Sequence, residues 1–312
     1  MFKGLEALDA VRLNFSPDSL ILLNFTLAFI MFGVALELKL AHFKHVFLFP
    51  KPAFVGVVAQ FVIMPLLTFL LVLIINPTPG VALGMILVAA CPGGNISNFM
   101  TAHARGNTEL SVSLTAIADF SAIIMTPINF AFWGGMYAKF YTKASHLVIP
   151  VEIDAFEMIK TMIILLGIPL AIGMIFSKYF PVITKKIKKP IKIMSLIIFT
   201  GYVVVALANN FNHFIDFVHL VFFIVLIHNA IALTTGYSIS KLFKLKRRDV
   251  RTITIETGIQ NSGLALVLIF NPNLFDGIGG MAFIAALWGI WHIIAGLTIS
   301  SIWSFIPLLN KK

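Results

Sequence analysis

The sequence contains little charge and a single cysteine. Charged residues make up 12% of its 312 positions, whereas hydrophobic residues make up 59%. A soluble domain of this length needs considerably more charge to cover its surface. Cys91, being alone, cannot form an intramolecular disulfide or a cysteine-based structural metal centre. No short apolar stretch followed by a small-residue cleavage site precedes Asp18, so we expect no cleavable signal peptide.

Long apolar segments recur along the whole chain, and the mean hydropathy is +0.97. Each segment is close to the roughly 20 residues that a helix needs to cross the ~30 Å hydrocarbon core of a bilayer. We therefore predict an all-α polytopic membrane protein with nine transmembrane helices, in which residues 1–312 form a single transmembrane unit. The helices are predicted at residues 19–37, 52–75, 80–102, 110–134, 157–177, 191–209, 217–240, 252–270 and 278–306.

The basic residues predict the orientation of these helices. Of the 23 Lys and Arg residues, 18 fall in the odd-numbered gaps between helices, including the run Lys185–Pro190, which we expect to be a solvated loop. Such asymmetry assigns that side to the cytoplasm, with the N-terminus outside and the C-terminus inside. The net charge of +10 is then an orientation signal that also favours anionic lipids, and it does not indicate nucleic-acid binding.

Two of the predicted helices carry interruptions. The third contains Pro92-Gly93-Gly94 followed by polar residues up to Asn98, and the eighth contains the polar, glycine-containing stretch 256–263. Proline and two glycines loosen a helix, and unwound backbone within a membrane is tolerated only inside protein or beside a cavity. The interruptions fall in the third members of helices one to four and six to nine. This is the pattern of an inverted repeat with two discontinuous crossing helices.

Glu256 is the acidic residue within the second interruption. A carboxylate in the middle of a membrane costs at least ~2.5–3.5 kcal/mol on insertion scales, so it requires a cation or a proton. Lys and Arg occur in the apolar segments only at their ends, so none is available mid-membrane to neutralise it, and a small hard cation suits carboxylate, amide and hydroxyl oxygens. The alternative is a structural carboxylate near the inner interface, paired with Arg251.

Other polar residues are also predicted to lie within the membrane. Ser111, Thr115 and Asp119 are spaced by four and share one helix face. Asp119 could add to an ion site, accept a proton, or hydrogen-bond a neighbouring helix. Considered alone, Gln60 is more typical of helix packing, and His228 and His292 are more typical of interior groups than of metal ligands.

The two interrupted motifs resemble those of the bile acid:sodium symporter family. The similarity is carried by residues 91–98, by 105–107 with 110–115, by 255–263, and by the segment from Ala59-Gln60 to Met64-Pro65. It extends from about residue 30 to residue 300. The resemblance implies a panel domain at about residues 19–45 and 157–215, and a core domain at about 52–135 and 217–306, which move against each other.

The resemblance also implies residues for two coupling Na⁺ ions and for the anion. The first sodium site would comprise Ser97, Asn98, Ser111, Thr115 and Glu256. The second would comprise Gln60, Glu256 and Gln260, with backbone oxygens of Thr257 and Ile259. The substrate would lie near Asn95 and Asn261, with Gly94 and His292 as further candidates.

Three features depart from the ten-helix bacterial pattern of that family. The first helix of the pattern is missing. Asp119 stands where Ser or Thr is expected, which bears on the number of charges carried. His292 follows Trp291 as in bacterial relatives, but Ile293 stands where the family has Asn.

The sequence therefore predicts a monomeric, multi-pass protein of the cell (inner) membrane that is not an enzyme. We expect sodium-coupled symport of a small organic anion, bile-acid-like or another carboxylate, by alternating access. One alternative is a proton-driven or metalloid efflux carrier of related fold, with Asp119 as proton site and Cys91 as thiol ligand. Another is an intramembrane enzyme or sensor that uses His228, Asp119 or Glu256, although no paired catalytic motif supports it.

Overall fold

The computed structural model of the chain describes residues 5–11, 17–38, 50–145, 153–209, 211–275 and 277–307. These residues form helices and short connections; they contain no β-strand, and an antiparallel bridge links Gly93 to Gln260. The helices are α1 (Leu5–Ala10), α2 (Pro17–Ala35), α3 (Pro50–Ile75), α4 (Pro79–Ala90), α5 (Ser97–His103), α6 (Thr108–Ser145), α7 (Ala155–Tyr179), α8 (Pro181–Asn209), α9 (Phe211–Leu242), α10 (Arg247–Gly258), α11 (Ser262–Phe270) and α12 (Gly279–Phe305).

Five of these helices are long and apolar enough to cross a membrane. They lie within α3, α6, α7, α9 and α12 and have between 25 and 35 residues. Two shorter apolar helices lie at Asn24–Ala35 and Pro79–Ala90. The all-helical fold and the repeated long apolar helices confirm the predicted fold class of a polytopic membrane protein.

Both predicted interruptions are present. The third predicted segment divides into α4 and α5, separated by residues 91–96, and the eighth divides into α10 and α11, separated by residues 259–261. The predicted loop at Lys185–Pro190 is wrong, because α8 already begins at Pro181, where the fixed φ of proline suits the first position of a helix. The lysines of this run lie exposed in the first turns of α8.

Prolines also explain two π-helical turns. The π turn Ala59–Ile63 in α3 precedes Pro65, and the π turn Ile163–Gly167 in α7 precedes Pro169. Because proline has no backbone N–H and crowds the preceding turn, the regular i→i−4 ladder cannot continue through it. A wider turn accommodates the mismatch. In α3 this places Gln60 in the bulge, with its side chain buried.

The helices pack in two groups. α2 packs against α7 and α8, whereas α4 packs against α12, α9 against α10, and α6 against α3, α4, α5 and α10. Contacts of α7 with α6 and of α2 with α11 join the groups. Residues 39–45, which were predicted to belong to the panel domain, lie outside the described residues.

The short helix α1, which sequence analysis did not predict, covers one end of the second group. A carboxylate oxygen of Asp9 accepts a hydrogen bond from the backbone N–H of Gly80 (2.7 Å), in the first turn of α4. The backbone N–H of Gly279 donates to the carbonyl of Val11 (3.0 Å). A negative charge at the N-terminus of α4 is favourable because the helix dipole is positive there.

Close packing of α4 on α12 depends on Gly84. A Cβ atom at this position would lie 2.8 Å from the backbone Cα of Met281, which cannot rotate away. We expect Gly84→Ala to destabilise the protein by about 1–3 kcal/mol, in line with overpacked sites. The matched control is Gly135→Ala, because a Cβ there meets no atom within 4 Å. Thermal unfolding of the detergent-solubilised variants checks the prediction, and equal melting temperatures for the two would contradict it.

Candidate functional site

The two interruptions cross each other and are joined through their backbones. The N–H of Gly94 donates to the carbonyl of Ile259 (2.7 Å), and the N–H of Asn261 donates to the carbonyl of Pro92 (2.8 Å). The two segments thus run antiparallel like a minimal strand pair. These bonds satisfy backbone groups that the helical ladders leave unpaired, which is required within a bilayer.

Glycine is needed at this crossing because the two backbones approach closely. A Cβ at Gly94 would lie 3.1 Å from the carbonyl oxygen of Gln260. A Cβ at Gly93 would lie 3.3 Å from both the carbonyl and a carboxylate oxygen of Glu256. A side chain at either position would require the neighbouring atoms to move by a few tenths of an ångström.

Glu256 lies at the centre of the crossing and is 6% exposed. Its Oε1 accepts hydrogen bonds from the hydroxyls of Ser97, at 2.7 Å, and Ser111, and its Oε2 accepts one from Thr115 at 3.2 Å. The predicted polar face of α6 and the first residue of α5 thus meet the acid of α10. These are four of the five residues that the family resemblance implies for the first sodium site, and hydroxyl and carboxylate oxygens suit a hard cation.

Gln60 and Gln260 form a second polar group beside Glu256. The Gln60 amide donates to the side-chain oxygen of Gln260 (2.8 Å) and to the backbone oxygen of Cys91 (2.9 Å). A cavity of about 10 Å³ lies between Gln60, Gly93 and Glu256. It has room for about one water-sized particle. The assignment of Gln60 to the second sodium site, which the resemblance implies, stays a prediction.

The backbone oxygens predicted for the second site are already hydrogen-bonded. The carbonyl of Thr257 accepts from the side chain of Gln260 (2.8 Å), and the carbonyl of Ile259 accepts from Gly94. Each carbonyl oxygen has two lone pairs, so one hydrogen bond leaves capacity for a further contact.

Arg251 does not pair with Glu256. Its guanidinium donates to the backbone carbonyls of Ala104 (2.7 Å), Trp303 (3.0 Å) and Ile306 (2.8 Å), where α5 and α12 end. A cation at these helix C-termini satisfies carbonyls that have no helical partner and complements the negative end of the dipole. The alternative in which Arg251 neutralises Glu256 is therefore wrong.

The remaining predicted residues are distributed around the crossing. Asn98 donates to the carbonyl of Asn95 (3.4 Å), and its side-chain oxygen lies 3.4 Å from the hydroxyl oxygen of Thr115. Asn261 caps α11 by accepting from the N–H of Leu264 (3.0 Å). His292 is 5% exposed in α12, and its Nδ1 has no hydrogen-bond partner among the described residues.

Asn229 supports the crossing in a way that sequence analysis did not identify. Its amide donates to the carbonyl of Gly258 (2.8 Å), the last residue of α10. Thr126 supports the other interruption by donating to the carbonyl of Ala90 (2.7 Å), the last residue of α4. Neighbouring His228 bonds Thr68 (2.8 Å) and packs on Trp288, as expected of an interior group. The sequence shows that Asn229 and Thr126 are polar residues within apolar segments, but it does not show which backbone carbonyls they contact.

Comparison with known proteins identifies the family. The model of the sodium bile acid symporter family matches residues 24–217, which is more than half of the chain. The chain belongs to this family. With its long apolar helices, it is a multi-pass membrane protein.

Individual relatives in this family are named as transporters, not as enzymes. The chain is 32% identical over 284 residues to the uncharacterized sodium-dependent transporter YocS of Bacillus subtilis, covering 89% of this chain and 81% of the relative. It is 31% identical over 276 residues to the probable chloroplastic sodium/metabolite cotransporter BASS1 of Arabidopsis thaliana, covering 88% and 64%. It is 30% identical over 286 residues to the hepatic sodium/bile acid cotransporter of Rattus norvegicus, covering 89% and 75%.

The amide of Asn229 should contribute measurably to stability. We expect Asn229→Ala to lower the free energy of unfolding by about 1–3 kcal/mol, because the carbonyl of Gly258 loses its donor in a buried environment. Asn24→Ala is the control, since Asn24 is exposed and makes no hydrogen bond within the described ranges. Melting temperatures of both variants test this, and an unchanged value for Asn229→Ala would show that its hydrogen bond is dispensable.

Proposed function

We propose that this protein is a secondary carrier that couples the inward movement of Na⁺ to the uptake of a small organic anion. The observation that carries the proposal is the buried carboxylate of Glu256, which three hydroxyl groups surround where two interrupted helices cross. The names of the relatives in Bacillus, Arabidopsis and rat support sodium coupling. The rat relative's name supports a bile-acid-like or other carboxylate cargo.

Two sodium sites share Glu256 in this proposal. The first uses Ser97, Asn98, Ser111 and Thr115, and the second uses Gln60 and Gln260 with backbone oxygens of Thr257 and Ile259. The hydroxyl groups that now donate to Glu256 would turn their lone pairs towards a cation. Both sites contact the interrupted segments, so occupied sites would fix the backbone that forms the anion pocket.

The anion would lie beside the crossing, near Gly94, Asn95, Asn261 and His292. The first turn of α11, which Asn261 caps, presents backbone N–H groups and the positive end of a helix dipole to a carboxylate or sulfonate. Sodium binding and anion binding would then favour each other through the same backbone, as coupled transport requires.

Alternating access would follow from motion between two domains. The panel would comprise about residues 19–45 and 157–215, and the core about 52–135 and 217–306. The packing of α2 with α7 and α8 supports this division.

We infer nine membrane crossings with the N-terminus outside, a location in the cell (inner) membrane, and a monomeric carrier, from the hydropathy and the placement of basic residues.

Glu256→Gln should remove sodium coupling while preserving shape. We expect sodium affinity to fall at least about tenfold, because hydrogen-bonded charged groups contribute roughly 1.5–3 kcal/mol. Sodium-dependent thermal stabilisation of the purified protein, compared in NaCl and KCl at fixed pH, measures this effect. Asp154→Asn is the control, since Asp154 is an exposed carboxylate that caps α7. A normal sodium response in Glu256→Gln would remove Glu256 from its proposed role.

The cargo can be identified by a screen of organic anions. Bile acids, other sterol conjugates and small carboxylates should be tested by thermal shift with and without NaCl, because a ligand that binds the folded state raises its stability. We expect the true cargo to stabilise the protein more in NaCl than in KCl. Uptake into vesicles that is equal in the two salts would contradict sodium coupling and favour a proton-driven carrier.

A further inference from the structure

Asp119 is a buried carboxylate without a hydrogen-bond partner. Its side chain is 0% exposed in α6, and neither carboxylate oxygen accepts a hydrogen bond from any described residue. The alternative in which Asp119 bonds a neighbouring helix is therefore not supported. An isolated ionised carboxylate is too costly to bury, so something other than a protein donor must neutralise it.

The position of Asp119 places it next to the proposed sodium sites. It lies 11 residues after the start of α6 at Thr108, which is about 16 Å along the helix axis. It stands one turn beyond Thr115, which contacts Glu256, and two turns before Thr126, which contacts the end of α4. Asp119 therefore lies about one helical turn, roughly 6 Å along α6, from the residue that contacts the Glu256 carboxylate.

The surrounding protein supplies no positive charge at this depth within the described ranges. The helices packed against α6 are α3, α4, α5, α7 and α10. Their basic residues lie near helix ends: Lys51 in the first turn of α3, Lys178 in the last turn of α7, and Arg247, Arg248 and Arg251 in the first two turns of α10.

The remaining charged or titratable groups of these helices are also engaged or distant. Lys160 of α7 is half exposed and pairs with Glu157 (2.6 Å), while His103 ends α5 and bonds Ser301 (3.2 Å). Cys91, just after α4, is neutral as a thiol and cannot compensate a carboxylate. Glu256 adds a second negative charge and increases the need for a cation.

We propose that Asp119 is a site for a third monovalent cation, in addition to the two sodium ions of the proposed function on which this inference rests. Two Na⁺ balance Glu256 and one monovalent organic anion, so the loaded centre would be neutral without Asp119. The extra carboxylate leaves one uncompensated negative charge in a low-dielectric interior. One more cation at Asp119 restores neutrality before the loaded carrier reorients.

The cation at Asp119 has two possible sources with the same charge. A sodium ion would need further oxygens, such as the hydroxyl oxygen of Thr115, one turn away on the same face of α6. A proton would need no other ligand, because a neutral carboxylic acid can be buried at much lower cost. The two sources leave different measurable signatures.

Asp119→Asn, which preserves shape, tests the proposal with Na⁺ alone as the probe. If the source is sodium, equilibrium binding of radioactive sodium to the purified full-length protein should fall by one ion per protein. If the source is a proton, the sodium count stays the same, and the infrared band of a protonated carboxyl group, present in the wild type, disappears in Asp119→Asn. An unchanged sodium count together with the absence of such a band in the wild type would overturn the proposal.

Control variants distinguish the loss of a cation at Asp119 from misfolding and from failure of the proposed function. Asp216→Asn removes an exposed carboxylate of α9 and should change neither measurement. Asp119→Ser, the residue type expected for the family, is the second variant if Asp119→Asn fails to fold. Should both fail to fold, three sodium ions bound per wild-type protein, or a protonated-carboxyl band that persists in Glu256→Gln, would support the proposal, whereas two ions without such a band would overturn it. A wild-type protein that binds no sodium would refute the proposed function, while the infrared band would still decide whether Asp119 holds a proton.

Discussion

The hydrogen bonds to the carboxylate of Glu256 hold the centre of this protein together. They bring α10 to both α5 and α6, which are separated from it by more than one hundred residues of sequence. A charged acceptor in a low-dielectric interior makes each of these bonds stronger than a neutral one. In the same low-dielectric interior, a carboxylate of Glu256 that lost its hydrogen bonds would be strongly destabilising. The structure around Glu256 must therefore supply either donors or a cation at all times.

This requirement gives a physical basis for coupling. The hydroxyls of Ser97, Ser111 and Thr115 act as donors to Glu256 now, and each could offer a lone pair to a bound cation instead. The exchange would reorganise hydrogen bonds at the start of α5 and at the end of α10 together. Because Gly94 and Ile259 are bonded to each other, a shift in one segment is transmitted to the other. An anion pocket built on these segments would respond to the cation without contacting it.

The interruptions themselves were predictable, because Pro92-Gly93-Gly94 and the polar stretch after Glu256 interrupt the apolar segments with residues that can be recognised from the local sequence. The assembly of Glu256 with Ser97, Ser111 and Thr115 could be expected from the family resemblance, but not from spacing alone. The partners of Asn229 and Arg251 could not be predicted, since their acceptors are backbone carbonyls that become available only after distant helices end. The start of α8 at Pro181 was missed because a solvated run of lysines resembles a loop by composition.

The family match and the geometry of the site are largely independent observations. The family model covers residues 24–217 and therefore includes Gln60, Ser97, Ser111 and Thr115, but it ends before Glu256. The structure brings the carboxylate of Glu256 in α10 to the hydroxyls of Ser97, Ser111 and Thr115. The backbone hydrogen bond from Asn261 to Pro92 also holds the two interrupted segments together. Each half of the chain alone would leave buried polar groups unsatisfied, which is costly in a membrane. The two halves therefore fit each other for reasons of hydrogen bonding that hold regardless of which anion the protein carries.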